Sequence, residues 1–151
     1  MIKLLCVGAM KDKAMTSLQD DYMSRINRFM KLELIEVKEA SSKNSNIVSI
    51  QREETENLMK RISDSDFVVL LDLKGDMIDS VILSKRIEQW SAREMVFVIG
   101  GSWGVSVDIQ KRADFTLKLS ALTLPHLLAR VVLLEQIYRS FKIIHNQEYH
   151  K

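Results

Sequence analysis

The 151-residue sequence has one cysteine, Cys6, one proline, Pro125, and five glycines. A lone cysteine excludes an internal disulfide, and Cys6 has no metal-ligating companions at a useful spacing. It therefore reads as a small buried hydrophobe of a first strand, and no metal is expected. No apolar run reaches the ~18 residues that a membrane span needs. The start, Met1 to Val7, is strand-like and lacks the plan of a signal peptide, which predicts a cytoplasmic protein with no membrane partner. Charge of one sign is also scarce, the net value being +2. The balance is uneven along the chain: residues 1–108 hold 15 Lys/Arg against 17 Asp/Glu, whereas 109–151 hold 7 against 3 and all three histidines. A basic end on a neutral body suggests a polyanion-facing region.

With 46% hydrophobic and 28% charged residues, the chain fits one globular domain, residues 1–151. Apolar runs predict five strands: Ile2 to Val7, Leu32 to Val37, Phe67 to Asp72, Met95 to Ile99 and Phe115 to Leu119. Amphipathic stretches alternate with them. Met15, Leu18, Tyr22, Ile26 and Phe29 mark a first helix, and a second runs from Ile47 to about Arg61. A third follows a turn at Lys74, Gly75 and Asp76; it is capped by Asp79 or Ser80 and buries Ile82, Leu83, Ile87 and Trp90. Strand–helix alternation implies an α/β fold with a mostly parallel sheet of five or six strands flanked by helices. Glu39 to Asn46 is polar and aperiodic, and reads as a mobile loop.

The last helix, His126 to about Ile144, is apolar around most of its circumference. One sheet face cannot bury such a surface, and in a short chain the simplest second partner is another copy, so a homodimer through this helix is expected.

Ligands of open α/β sheets bind beyond the C-terminal strand ends. Three loops there stand out. Leu71 to Gly75 follows the third strand, with Gly75 readable as a simple positive-φ turn residue. Gly100, Gly101 and Gly104 follow the fourth, letting a cofactor approach the backbone, with Ser106 capping a short helix. The pattern is neither the dinucleotide fingerprint nor a P-loop, and after the first strand only Gly8 is offered, which makes a nucleotide-binding oxidoreductase remote. The third loop, Leu119, Ser120, Ala121, Leu122, Thr123, Leu124 and Pro125, combines apolar side chains with free backbone amides, a surface suited to a flat adenine ring.

This loop, the helix carrying Arg130, Glu135, Gln136, Tyr138 and Arg139, and the ending Tyr149-His150-Lys151 together resemble the ribosomal large subunit methyltransferase H family of the SPOUT superfamily. The resemblance spans nearly the whole chain and is strongest from Val96 to His150. It implies a deep C-terminal trefoil knot, with knot and cofactor site within about 67–144 and a substrate-contacting tail at 145–151. It implies S-adenosylmethionine as methyl donor, held by Leu71, Gly100, Gly101, Gly104 and the run Leu119 to Pro125, and S-adenosylhomocysteine as product. It also implies a homodimer, and as substrate a pseudouridine in a 23S rRNA stem-loop at the decoding-centre bridge, methylated at N3 on the assembled ribosome. Tyr149, His150 and His126 are the candidate catalytic residues, with Glu135 a further candidate base. Arg25, Arg130, Arg139 and Lys151 are candidate RNA contacts, with Arg28, Lys111 and Arg112 extending that surface. Two alternatives stand beside this reading: a SPOUT methyltransferase acting on tRNA or another rRNA base, and a non-catalytic ribosome-binding knot protein.

Overall fold

A computed structural model describes residues 1–41, 43 and 46–151. Ser42, Asn44 and Ser45, within the expected mobile loop, lie outside the described residues. The elements in chain order are β1 (Ile2–Val7), α1 (Lys13–Ile26), β2 (Leu32–Val37), α2 (Ile47–Met59), β3 (Phe67–Asp76), α3 (Ser80–Trp90), β4 (Met95–Ile99), α4 (Val107–Arg112), β5 (Phe115–Leu117) and α5 (His126–Ile144). The strands form one sheet in the order β2-β1-β4-β3-β5, and every pairing is parallel.

Side chains of a strand alternate between faces, so a sheet covered on both sides needs continuous apolar strands. In β1 and β4, Ile2, Leu4, Cys6, Met95, Phe97 and Ile99 enter one core with Leu83, Ile87, Leu133, Ile137 and Phe141 of α3 and α5. Leu5, Val7, Val96 and Val98 enter the other, with Leu58 of α2 and Ile109 of α4. Cys6 is fully buried as expected, and burial raises its thiol pKa to about 12. Polar side chains start the covering helices: Asp12, Asn46, Asp79 and Ser106 accept from the amides of Met15, Ser49, Ile82 and Asp108.

Several boundaries differ from expectation. The Lys74-Gly75-Asp76 segment is not a turn but an extension of β3, paired to β5 across a register shift between Leu71 and Asp76. Gly75 does not have positive φ; a Cβ there would lie 2.6 Å from the Thr116 carbonyl oxygen, so glycine is required by backbone proximity. β5 ends at Leu117 rather than Leu119, and α2 at Met59 rather than Arg61. On α3 Ile82 is 42% exposed, and Ser84 takes the buried place expected for it.

α5 packs between α1 and α3 and buries Val131, Leu133, Leu134, Ile137 and Phe141. Leu127, Leu128, Val132 and Ile144 of the same helix stay half-buried. Among the described residues no helix is long and apolar enough to cross a membrane.

Candidate active site

Beyond the C-terminal ends of β3, β4 and β5 lies a cavity of about 720 Å³. Leu71, Gly100, Gly101 and Gly104 line it, as do Leu119, Ser120, Leu122, Thr123, Leu124, Pro125 and His126; Ala121 alone of the expected donor residues does not. Lys74, within the loop that the sequence marks after the third strand, and Lys118, which the sequence does not single out, line it too. Lys118 adjoins the end of β5, and a lone lysine there gives no pattern to read.

The glycine loop is shaped by contact as well as conformation. Gly104 has φ +79° and donates its amide to the Gly101 carbonyl at 3.0 Å, closing a tight turn. A Cβ on Gly100 would meet Val105 Cγ1 at 2.6 Å, and one on Gly101 would meet Glu54 Oε2 at 2.7 Å. α2 supports this turn through three successive contacts. Gln51 Nε2 donates to the Trp103 carbonyl, Thr55 Oγ1 accepts from the Ser106 amide at 3.1 Å, and the Glu54 carboxyl is buried against Gly101. Glu54 Oε1 accepts from the Ala40 amide at 3.0 Å, while Oε2 has no partner among the described residues. Burial is the main cause that raises its pKa. The sequence singles out none of these α2 residues, because a polar helix reads as a plain cover.

The opposite wall is the loop after β5. Lys118 donates its amide to the Asp76 carbonyl at 2.9 Å, and Ser120 Oγ accepts from the Leu122 amide at 3.0 Å. Among the described residues the amides of Leu119, Ser120, Ala121, Thr123 and Leu124 have no acceptor. Backbone donors left open beside an apolar wall are the equipment for holding a planar heterocycle by its edge and faces.

The tail forms a second cluster. Asn146, at φ 52°, turns the chain back after α5: Gln147 donates to the Lys142 carbonyl and Asn146 to the Ile143 carbonyl, the bonding pattern of a Schellman C-terminus. Tyr149 Oη then donates to Glu135 Oε1 at 3.0 Å, and its ring meets Tyr138 edge-on with centroids 4.9 Å apart. The Arg139 guanidinium lies 4.7 Å from the Tyr149 ring centroid and donates to Glu135 Oε1 and to His150 Nδ1, the latter at 3.2 Å. Since arginine only donates, His150 Nδ1 accepts, and the neutral ring carries its proton on Nε2. Burial, with hydrogen bonds to Tyr22 and Glu135, holds the Tyr149 phenol above its ordinary pKa, so it stays a protonated donor. Glu135 is engaged by Tyr149, Arg139 and Gln136 and is not free to act as a base.

His126 and the Tyr149–His150 pair are thus not brought together in one chain. His126 opens α5, and Arg139, which holds the tail, lies 13 residues further on, roughly 20 Å along the helix. Arg25 joins the tail surface, with its guanidinium 5.7 Å from the ring centroids of Tyr22 and Tyr138 and paired to Asp21 at 2.8 Å. Arg28, Lys111 and Lys151 are exposed.

Two expected RNA contacts are corrected. Arg130 is 0% exposed; it pairs with Glu36 and donates to Gln19 Oε1 at 3.1 Å and to the Gly8 carbonyl at 2.9 Å. It ties α5 to β1, α1 and β2 and presents nothing to a phosphate outside. Arg112 donates to the carbonyls of Ser63 and Asp66 and pairs with Asp114, fastening the turn before β3.

The family model described as "Predicted SPOUT methyltransferase" matches residues 1–150. The chain is 38% identical to ribosomal RNA large subunit methyltransferase H of Ureaplasma parvum serovar 3, covering 100% of this chain and 99% of that one. It is 40% identical to the protein of the same name from Ruminiclostridium cellulolyticum, covering 99% of each. Among solved structures, a probable methylase family protein from Haemophilus influenzae aligns with a TM-score of 0.56 and 14% identity, over 96% of this chain and 66% of that one, a likeness of fold. Whole-length matches of this kind, joined to a backbone-lined cavity at the strand ends, place the chain in the ribosomal RNA large subunit methyltransferase H family of SPOUT methyltransferases.

Proposed function

We propose that this protein transfers a methyl group from S-adenosylmethionine to N3 of a pseudouridine in the 23S rRNA stem-loop at the decoding-centre bridge, acting on the assembled ribosome. The observation that carries the reading is the cavity wall formed by Leu119, Ser120, Leu122, Thr123 and Leu124, where amides without an acceptor among the described residues lie among apolar side chains. Those groups fit an adenosyl moiety: amides and carbonyls of 119–124 meet the adenine edge, and Leu119, Leu122 and Leu124 meet its faces. Gly100 and Gly101 leave room for the remainder of the donor. The whole-length likeness to named rRNA large-subunit methyltransferases supports the substrate class.

When bound, the donor supplies a sulfonium-activated methyl group, so the chain's task is alignment and exclusion of water. Such alignment is worth roughly 7–11 kcal/mol. N3 must lose its proton. His126 is the one expected catalytic residue on the cavity wall and takes that role in this reading. Tyr149, whose one hydroxyl hydrogen goes to Glu135, offers the target base its ring, and His150, with Nδ1 taken by Arg139, offers Nε2 to a carbonyl oxygen of that base.

That division of labour needs two copies, because the tail of one chain is held away from that chain's own cavity. Half-buried Leu128 and Val132 on α5, with exposed Met77 and Ile82 nearby in sequence on α3 and its lead-in, supply an apolar face for the dimer. Within each chain, the 118–125 segment follows a strand pressed against the β3 extension, and we place the trefoil knot there, a rare departure from unknotted chains.

The test is to incubate the purified protein with labelled S-adenosylmethionine and assembled ribosomes lacking the modification, then digest the rRNA. Label in 3-methylpseudouridine is the expected result. Label in tRNA or another nucleoside overturns the substrate, and absence of donor binding overturns the enzymatic reading altogether.

A further inference from the structure

Trp103 stands in the glycine turn between β4 and α4, and the residue is 51% exposed. The other tryptophan, Trp90, is 7% exposed and packs against Phe67 and Phe115, so exposure is particular to this position. Its backbone is nevertheless fixed: Gln51 holds its carbonyl, and the Gly104–Gly101 hydrogen bond closes the turn that carries it. Its chain neighbours Ser102 and Gly104 line the cavity while Trp103 does not, which sets the ring on the outer rim. Other apolar side chains are exposed nearby in the same frame: Val48, on the α2 turn preceding Gln51, and Val107, opening α4.

An exposed aromatic ring carried on a hydrogen-bonded backbone turn marks a surface with a partner. The surroundings select which. Lys74 and Lys118 line the same cavity, with Asp72 the one carboxylate among its lining residues, and neither lysine has an ion pair among the described residues; Arg52, beside Gln51, is 76% exposed at its side chain and pairs with Glu56 at 3.5 Å. A flat π-face beside a cavity lined by two unpaired lysines fits a nucleobase on an anionic backbone. A second copy of the chain is less suited, because α2 and α4 cover the sheet face opposite to α1, α3 and α5, where the dimer is placed.

We infer that Trp103 is a stacking platform for an unpaired nucleobase next to the one being methylated. This rests on the reading above that the substrate is RNA. A base can present N3 at the cavity only after leaving its stack, which deprives its neighbour of a stacking face. An indole carried on that held turn replaces that face and keeps the RNA open while the methyl group is transferred.

The experiment compares W103A, W103F and W103L with the parent protein on ribosomes lacking the modification. Donor affinity is measured by calorimetry and folding by thermal unfolding. W103A is expected to lose roughly 5- to 150-fold in kcat/KM for ribosomes, the range spanned by one base–aromatic stack. Donor affinity and unfolding temperature stay at the parent values, and W103F recovers most of the loss while W103L does not. Full recovery by W103L would mean an apolar protein contact and overturn the proposal, as would unchanged kcat/KM in W103A. A matching fall in donor affinity that W103F fails to restore would make Trp103 a structural part of the donor loop and overturn it equally. Should the parent protein methylate no ribosomal RNA, the functional reading itself fails, an outcome separate from any difference among the variants.

Discussion

Replacing Arg130 with methionine keeps an unbranched stem as far as the position of Nε and removes the guanidinium with its charge and donors. The arginine is fully buried and satisfies three acceptors, on Glu36, Gln19 and Gly8. Removing one partner of a buried ion pair costs about 3–5 kcal/mol. The Glu36 side chain is 32% exposed, so water can rehydrate its carboxylate in place, which moves the expectation to the lower end, about 3 kcal/mol. At roughly 2–4 °C per kcal/mol for a chain of this size, the midpoint should fall by about 6–12 °C. Urea unfolding of Arg130→Met, Glu36→Gln and the double variant should give a coupling of about 2 kcal/mol, because each single change strands the other partner. A loss below about 1 kcal/mol, accompanied by weaker RNA binding and a shallower salt dependence, would refute the argument and return Arg130 to the RNA surface.

Gly75→Ala should destabilise by about 1–3 kcal/mol and weaken donor binding, since the new Cβ meets backbone atoms of Thr116 and Leu117 that cannot rotate aside. Urea midpoints and calorimetric donor titration check this, and a variant as stable as the parent contradicts it. Glu54→Gln tests the buried acid. Its folded pKa lies above the unfolded value of about 4.3, so the native state favours the neutral form. The stability this group contributes is complete below the unfolded pKa, falls as pH rises toward the folded pKa, and is level above it. The glutamine variant should therefore gain over the parent at pH 7–8 and lose that advantage near pH 4; a difference independent of pH would sink the assignment.

The strands β1, β2 and β4 fall where the sequence places them: β4 is an unbroken apolar run covered on both faces, β1 is broken only by Lys3, and the edge strand β2 keeps enough apolar residues around Glu33 and Glu36 to be read. β3 reads short in the sequence because Lys74-Gly75-Asp76 has the composition of a turn, and only the nearness of Thr116, a feature of tertiary packing, makes it a strand. The cavity is legible through its punctuation, three close glycines and the single proline, which mark where the backbone is open. Arg130 is not, since a charge on a helix reads as surface until Gly8, Gln19 and Glu36, 94 to 122 residues away, are known to surround it. The separation of His126 from the tail is equally hidden. It depends on the length of α5 and on the reversal at Asn146, whose left-handed backbone a single asparagine hardly announces.

The strand order has a consequence for how the chain is made. β1 emerges first, yet one of its two neighbours in the sheet is β4, whose residues pair with it from 93 positions downstream. Parallel partners so distant must close a long loop before any contact rewards it, which predicts slow folding with little native structure in a nascent N-terminal half. Until Met95 to Ile99 have been synthesised, Ile2 to Cys6 keep an open hydrogen-bonding edge that invites pairing with other chains. Synthesis is therefore the period of greatest aggregation risk for this protein, and a chain interrupted before β4 has no finished sheet on which to mount a donor site.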